Sequence, residues 1–137
     1  MHNSEIDKLI NEISKLPGLG RRSAQRIALY LLKNKEHSLI PLMNTLNEAK
    51  IKIVNCEICG NLDMINPCNL CTSTKRDSDT IIIVEDVSDL WTFEHIGFYN
   101  GMYHVIGGTL SAINNVSIND LTISKLISRI EKQNVKE

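Results

Sequence analysis

Four cysteines, the chain's full complement, fall in one short span as Cys56, Cys59, Cys68 and Cys71, a C-x2-C-x8-C-x2-C pattern. Each C-x-x-C pair turns two sulfurs towards one point. Four thiolates at about 2.3 Å complete the tetrahedral shell that zinc prefers. A pair of disulfides is the alternative, but the opening MHNSEIDKLI carries acidic residues and no long apolar core, so nothing points to secretion. An iron–sulfur cluster uses the same donors and stays open. The expectation is one structural Zn ion, because four cysteines leave no free coordination position. The surrounding ICGNLDMINPCNLC is too short and polar to hold a core. Its folding free energy must then come largely from the metal, on the order of 10 kcal/mol. Gly60 suits the open backbone angle of a knuckle turn, and Pro67 stiffens the approach to Cys68. His2, His37, His95 and His104 lie outside the cluster and read as surface or packing residues.

A second punctuated stretch lies upstream, Leu16-Pro17-Gly18-Leu19-Gly20-Arg21-Arg22. Ile6, Leu9, Ile10, Ile13 and Leu16 form one helical stripe before it, and Ala24, Ile27, Ala28, Leu31 and Leu32 another after it. Pro17 ends the first helix. Gly18 and Gly20 permit positive φ or close backbone approach. The second helix then starts near Gly20 with unpaired N–H groups facing outward, a site for an anion. A plain helical hairpin turn accounts for the glycines but not for Arg21, Arg22 and Arg26. Cations at a helix N-terminus oppose the macrodipole, so an external phosphate explains them better. A third helix follows, with Ser38 as cap and Pro41 in its first turn. Its face of Leu42, Leu46, Ala49 and Ile53 is expected to pack on the first two helices.

The net charge of −1 conceals a gradient. Residues 1–36 hold seven Lys/Arg against four Asp/Glu, residues 37–76 four against three, and residues 77–137 four against nine. Nucleic-acid contact is therefore expected in the N-terminal third, with the acidic half repelling phosphate unless it binds a cation. No apolar run approaches the ~20 residues of a membrane span, which makes the cytoplasm the default location.

The C-terminal half alternates element types. Thr80–Val84 is a β-branched run of the kind buried on both faces, and it ends at Glu85, followed by Asp86 and Asp89. Ser88 is a candidate cap for a helix carrying Leu90, Trp91 and Phe93. Met102–Ile106 reads as a second strand, and Ile123, Leu126, Ile127 and Ile130 mark a last helix capped by Ser117 or Asn119. This β-α-β-α order implies a parallel sheet. Two strands and two helices bury little, so a shortened version of a longer chain is the favoured explanation. Glu85 stands at the carboxyl end of its strand, where α/β folds place ligands. Magnesium chemistry on DNA needs several converging carboxylates, and Asp77 and Asp79 precede the strand at its other end.

The strings LPGLGRRSAQRIA, RDSDTIIIVED and GMYHVIGGTLS, with the cysteines between them, together resemble the bacterial recombination mediator family RecR. The resemblance implies an α/β, multi-module chain. Its parts are a helix-hairpin-helix domain over 1–55, a four-cysteine zinc finger over 56–73 and a truncated Toprim-like domain over 78–137. It implies a nonenzymatic DNA-binding role in recombinational repair, partners of the RecO and RecF type, and a ring-shaped homo-oligomer around DNA. Gly18 and Gly20 fall at the family's hairpin turn, Arg22 and Arg26 at its basic DNA-contacting positions, and Arg21 where proline is common. Cys56, Cys59, Cys68 and Cys71 fall at the zinc ligands. Glu85 falls at the acidic Toprim position, implied to serve partner and DNA engagement rather than cleavage. The rival is a Toprim-type, Mg²⁺-dependent nuclease or primase fragment using Glu85.

Overall fold

A computed structural model describes residues 4–107 and 122–137, and these divide into two compact units between Ile51 and Lys52. In the first, α1 (Glu5–Ser14) is capped by Ser4, whose hydroxyl accepts the Asp7 N–H at 3.2 Å. Glu5 and Asp7 place negative charge in its first turn, where the dipole favours it. The helix stops before Pro17. The Leu19 N–H then closes a tight turn onto the Leu16 carbonyl, with Pro17 second and Gly18 third at φ +79. That is a type II turn, whose third position favours glycine. α2 (Arg21–Lys33) returns along α1. Ile10 packs on Ala24 and Ala28, flanked by Leu9 and Ile13, and the alanines let the two backbones approach. Ile6 and Leu16, the ends of the expected stripe, stay exposed.

Past Asn34 the chain departs from expectation. Residues Lys35–Leu39 form a π-helical turn that runs into α3 (Ile40–Lys52). Ser38 is therefore not a cap: its N–H donates to the Asn34 carbonyl at 2.9 Å inside that turn. Pro41 does occupy the first turn of α3. The expected packing of Leu42, Leu46, Ala49 and Ile53 on the first two helices is absent, since α3 buries no residue and Leu46 is 60% exposed. Ile40 and Ile51 stand on the side opposite those four, so the helix has no single apolar stripe to bury.

In the second unit, β1 (Val54–Asn55) and β2 (Leu62–Asp63) pair antiparallel around the first C-x-x-C turn. A single helical turn, α4 (Asn69–Thr72), carries the last cysteine. β3 (Ile81–Val84), α5 (Val87–Ile96), β4 (Met102–Val105) and α6 (Ile123–Gln133) follow in the expected order. β3 and β4 are parallel, with Ile82 opposite Tyr103 and Val84 opposite Val105. Those four share one face, where Val84, Tyr103 and Val105 form a core with Leu90 of α5. The other face is treated unequally. His104 is buried under α6, while Ile83 beside it is 51% exposed. Thus β4 is buried throughout and β3 is not, against the expectation for its β-branched run.

Two helix starts also differ. Asp86, not Ser88, caps α5, and its backbone N–H donates to Asp89 Oδ2 at 3.2 Å in a capping box. Thr122 takes the N-cap position of α6; the candidate caps Ser117 and Asn119 lie outside the described residues, as does His2. The C-terminal residues return to β3, where the Lys136 and Glu137 N–H groups donate to the Asp79 carbonyl and Ile81 N–H donates to Glu137. Among the described residues, no helix is long and apolar enough to cross a membrane.

Candidate metal centre and nucleic-acid interface

The four cysteine sulfurs converge within 4.8 Å of one another. Cys59 and Cys68 stand 3.6 Å apart, Cys56 and Cys71 3.8 Å. A tetrahedral shell with bonds of about 2.3 Å has edges of about 3.8 Å, whereas a disulfide bonds at about 2.05 Å. The spacing is that of ligands around a common ion, and all four thiols are free. Gly60 turns the first knuckle at φ +84. Backbone donors face two sulfurs: Asn61 N–H to Cys59 Sγ at 3.4 Å and Cys68 N–H to Cys56 Sγ at 3.3 Å. Such donors stabilise thiolate charge.

Protonation tells the same story. Hydrogen bonds from Cys59 and then Cys71 hold the Cys68 thiol far below its ordinary range. Cys59 is pushed up chiefly by its hydrogen bond to Cys68, and Cys71 chiefly by its bond to Cys59. Thiols so crowded cannot all ionise on their own, and a dication at their centre resolves the conflict. The residues fit a metal.

The cluster is joined to the α/β elements of its own unit. The Val105 N–H donates to the Cys59 carbonyl at 2.7 Å. A Cβ on Gly60 would stand 3.1 Å from Val105 Cβ, so only glycine admits this approach freely. The indole N–H of Trp91 donates to Asn61 Oδ1 at 3.0 Å.

The hairpin lies in the other unit. α2 begins after Gly20, at φ −84 and ψ 175, with no side-chain cap and no acidic residue in its first turn. Gly20 therefore needs no positive φ, unlike Gly18; it leaves the helix end open. Arg22 and Arg26 are exposed and, among the described residues, make no hydrogen bond or ion pair. Arg21 is turned onto α1, donating to Asn11 Oδ1 and standing 3.7 Å from Asp7. Uncapped N–H groups beside two exposed guanidiniums have the chemistry to accept an anion.

Glu85 is exposed at the end of β3, and its carbonyl accepts the Gly107 N–H at 3.0 Å. Asp86 and Asp89 are committed to capping α5. At the opposite end of β3, Asp77 Oδ1 accepts the Asp79 N–H and Asp79 Oδ2 accepts from Lys136 Nζ at 2.7 Å. Among the described residues, the cysteines form the one convergent group of three or more His, Cys, Asp or Glu.

Comparison with known proteins bears on both modules. Residues 6–50 match the family "RecR, helix-hairpin-helix" and residues 79–137 match the Toprim domain. "Recombination protein RecR" of Rhizobium leguminosarum bv. trifolii (strain WSM2304) and that of Rhizobium meliloti (strain 1021) are each 50% identical over 133 residues. That of Xanthobacter autotrophicus (strain Py2) is 47% identical over the same length. The chain belongs to the RecR family. The alignments cover 97% of this chain and 66% of each of these RecR relatives, so the chain spans just under two thirds of their length. The RecR hairpin match contains the Leu16–Arg22 turn, and the Toprim match contains Glu85.

Asn61 and Trp91 were not apparent as site residues from the sequence. Asn61 touches the cluster in two ways, its N–H facing Cys59 Sγ and its carbonyl accepting the Cys56 N–H at 2.7 Å, while its side chain holds Trp91. An asparagine directly after the knuckle glycine was the available signal. Asp63 is similar: its carboxylate accepts the Met64 and Asn69 N–H groups and fixes the approach to the second knuckle.

Proposed function

We propose that this chain is a nonenzymatic, DNA-binding component of recombinational repair that holds the phosphate backbone at its hairpin. The observation that carries the reading is the uncapped start of α2, flanked by Arg22 and Arg26, which have no partner among the described residues. Phosphate oxygens would accept from the amides after Gly20, while the guanidiniums neutralise charge without reading bases. Gly18 shapes the turn, and Arg21, half-committed to α1, adds less than its neighbours. The relatives' name, recombination protein, supports the biological setting.

In this reading Cys56, Cys59, Cys68 and Cys71 hold one structural Zn, supported by an all-sulfur, four-point donor set with backbone donors behind it. When bound, zinc supplies cross-linking of the knuckles and no open site for substrate. The same reading includes partners of the RecO and RecF type, assembly as a homo-oligomer and work in the cytoplasm, with Glu85 as a candidate contact; the likeness to RecR proteins supports it. A Mg²⁺-dependent nuclease using Glu85 is disfavoured, because Asp86 and Asp89 are engaged in capping.

The test is fluorescence anisotropy of labelled DNA of several sequences against salt. Binding should weaken steeply as salt rises. Arg22→Ala with Arg26→Ala should weaken all sequences alike, and a change in sequence preference would overturn the backbone grip. Cleavage in Mg²⁺ that Glu85→Gln abolishes would restore the enzymatic reading.

A further inference from the structure

We propose that a groove along α6 holds a run of nucleic-acid phosphates, a second backbone contact in the unit that lacks the hairpin. Averaged over residues 77–137 the chain is acidic, yet every Lys and Arg after residue 76 lies between 125 and 136. Lys125, Arg129 and Lys132 recur at i, i+4 and i+7 and so share one helix face. They line a groove of about 460 Å³ with the hydroxyls of Ser124 and Ser128, and Glu57 stands on the facing wall.

Three observations point to an anion there. Lys125 and Lys132 are exposed, and neither makes an ion pair or hydrogen bond among the described residues. Arg129 is 6% exposed, and its partners among the described residues are all uncharged: the Tyr103 carbonyl, His104 Nδ1 at 3.4 Å and Gln133 Oε1 at 3.4 Å. Among the described residues its Nη2 has no partner. A buried cation without a counter-charge is unfavourable, and an anion in the groove would compensate it. Glu57 sets one carboxylate against three cations, which weakens the attraction without reversing it.

Length identifies the kind of anion. From Ser124 to Gln133 the helix face runs about 14 Å, at about 1.5 Å per residue. Successive phosphates of one strand advance about 3.4 Å along a duplex. A lone phosphate would fill one end only, whereas a phosphodiester segment meets both lysines.

The test uses the full, metal-loaded chain and labelled duplex DNA, comparing wild type, Lys125→Ala/Lys132→Ala, Arg22→Ala/Arg26→Ala and the fourfold variant. Each phosphate contact contributes about 0.9 to the slope of log affinity against log salt. The lysine pair should therefore lower the slope by about 1.8 in both backgrounds, and an unchanged slope and affinity in both would overturn the proposal. A loss confined to the lysine variants would support the groove while removing the hairpin reading, so the two fail separately. Lysine acylation read by mass spectrometry separates the ligand sources. Duplex DNA should protect Lys125 and Lys132; equal protection by inorganic phosphate at matched ionic strength would mean a single-ion site and overturn the proposed run.

Discussion

The indole N–H of Trp91 reaches the side-chain oxygen of Asn61 at 3.0 Å, and the Asn61 N–H faces Cys59 Sγ at 3.4 Å. α5 is thereby tied, through one residue, to a sulfur of the metal cluster. Two elements that the sequence presents as separate modules share this link and the Val105 to Cys59 backbone bond.

Removing the metal should therefore be visible at Trp91, the chain's single tryptophan. Chelation should shift its emission to the red as the knuckle loosens and the hydrogen bond is lost. Asn61→Ala keeps the backbone contacts of residue 61 and removes the indole's acceptor. It should lower stability by about 1–2 kcal/mol in urea titration and show the red-shifted emission before any chelator is added. Emission indifferent to chelation in the wild type would show that the link does not couple the two.

The glycines should separate by position. Gly60→Ala combines φ +84 with a Cβ 3.1 Å from Val105 Cβ, and both strains fall on the seam between cluster and sheet. A loss of roughly 2 kcal/mol is expected, with faster metal release to a chromogenic chelator. Gly20→Ala has open space and φ −84, so the fold should lose no more than about 1 kcal/mol, the cost of a poorer N-cap. Equal losses at the two sites would contradict this division.

What the sequence made legible was local. The cysteine spacing forced four sulfurs together, and Leu16–Gly20 encoded its own turn through Pro17 and Gly18. Errors arose where a residue's role depended on partners distant in the chain. The Leu42 to Ile53 face was periodic but found nothing to cover it within its unit. Ser88 was a reasonable cap, yet Asp86 pairs reciprocally with Asp89 and wins. Ile83 is as apolar as Ile82, but only α6's placement over His104 decides which position of that face is covered. Trp91 and Asn61 are 30 residues apart, and neither type alone signals a metal site. Charge averaged over residues 77–137 hid the cationic face of α6.

His104 supplies a pH prediction. The ring is buried, with Nε2 against the Thr122 carbonyl at 3.0 Å, and burial is the main reason its pKa lies below 6.5, with repulsion from Arg129 and Lys125 adding to the effect. The unfolded chain therefore binds the proton more readily than the folded one. His104's neutral form favours folding above about pH 6.5, and this contribution is lost as pH falls below that value, by at most about 1.4 kcal/mol per pH unit. Denaturant midpoints of the metal-loaded protein between pH 7.5 and roughly 5.5 should fall more steeply for wild type than for His104→Gln. Parallel curves would mean that folding does not lower the pKa of His104.

The last prediction concerns how β4 is held. Arg76 Nη2 meets Glu94 Oε1 at 2.6 Å, Tyr103 donates its hydroxyl to the same oxygen at 2.7 Å, and Arg76 Nε donates to the Gly101 carbonyl at 2.8 Å. Glu94 is only partly buried, so solvent weakens the pair, but its carboxylate serves two donors at once. Arg76→Ala leaves that carboxylate with a phenol as its sole neighbour and frees the Gly101 carbonyl. The expected loss is about 2–3 kcal/mol, towards the lower end for breaking a buried pair because of the exposure. Glu94→Gln retains an acceptor for Tyr103 and should lose less, about 1 kcal/mol. A double-mutant cycle reads the coupling directly. Additive losses would show that Arg76 acts through Gly101 alone and that the ion pair contributes nothing to the fold.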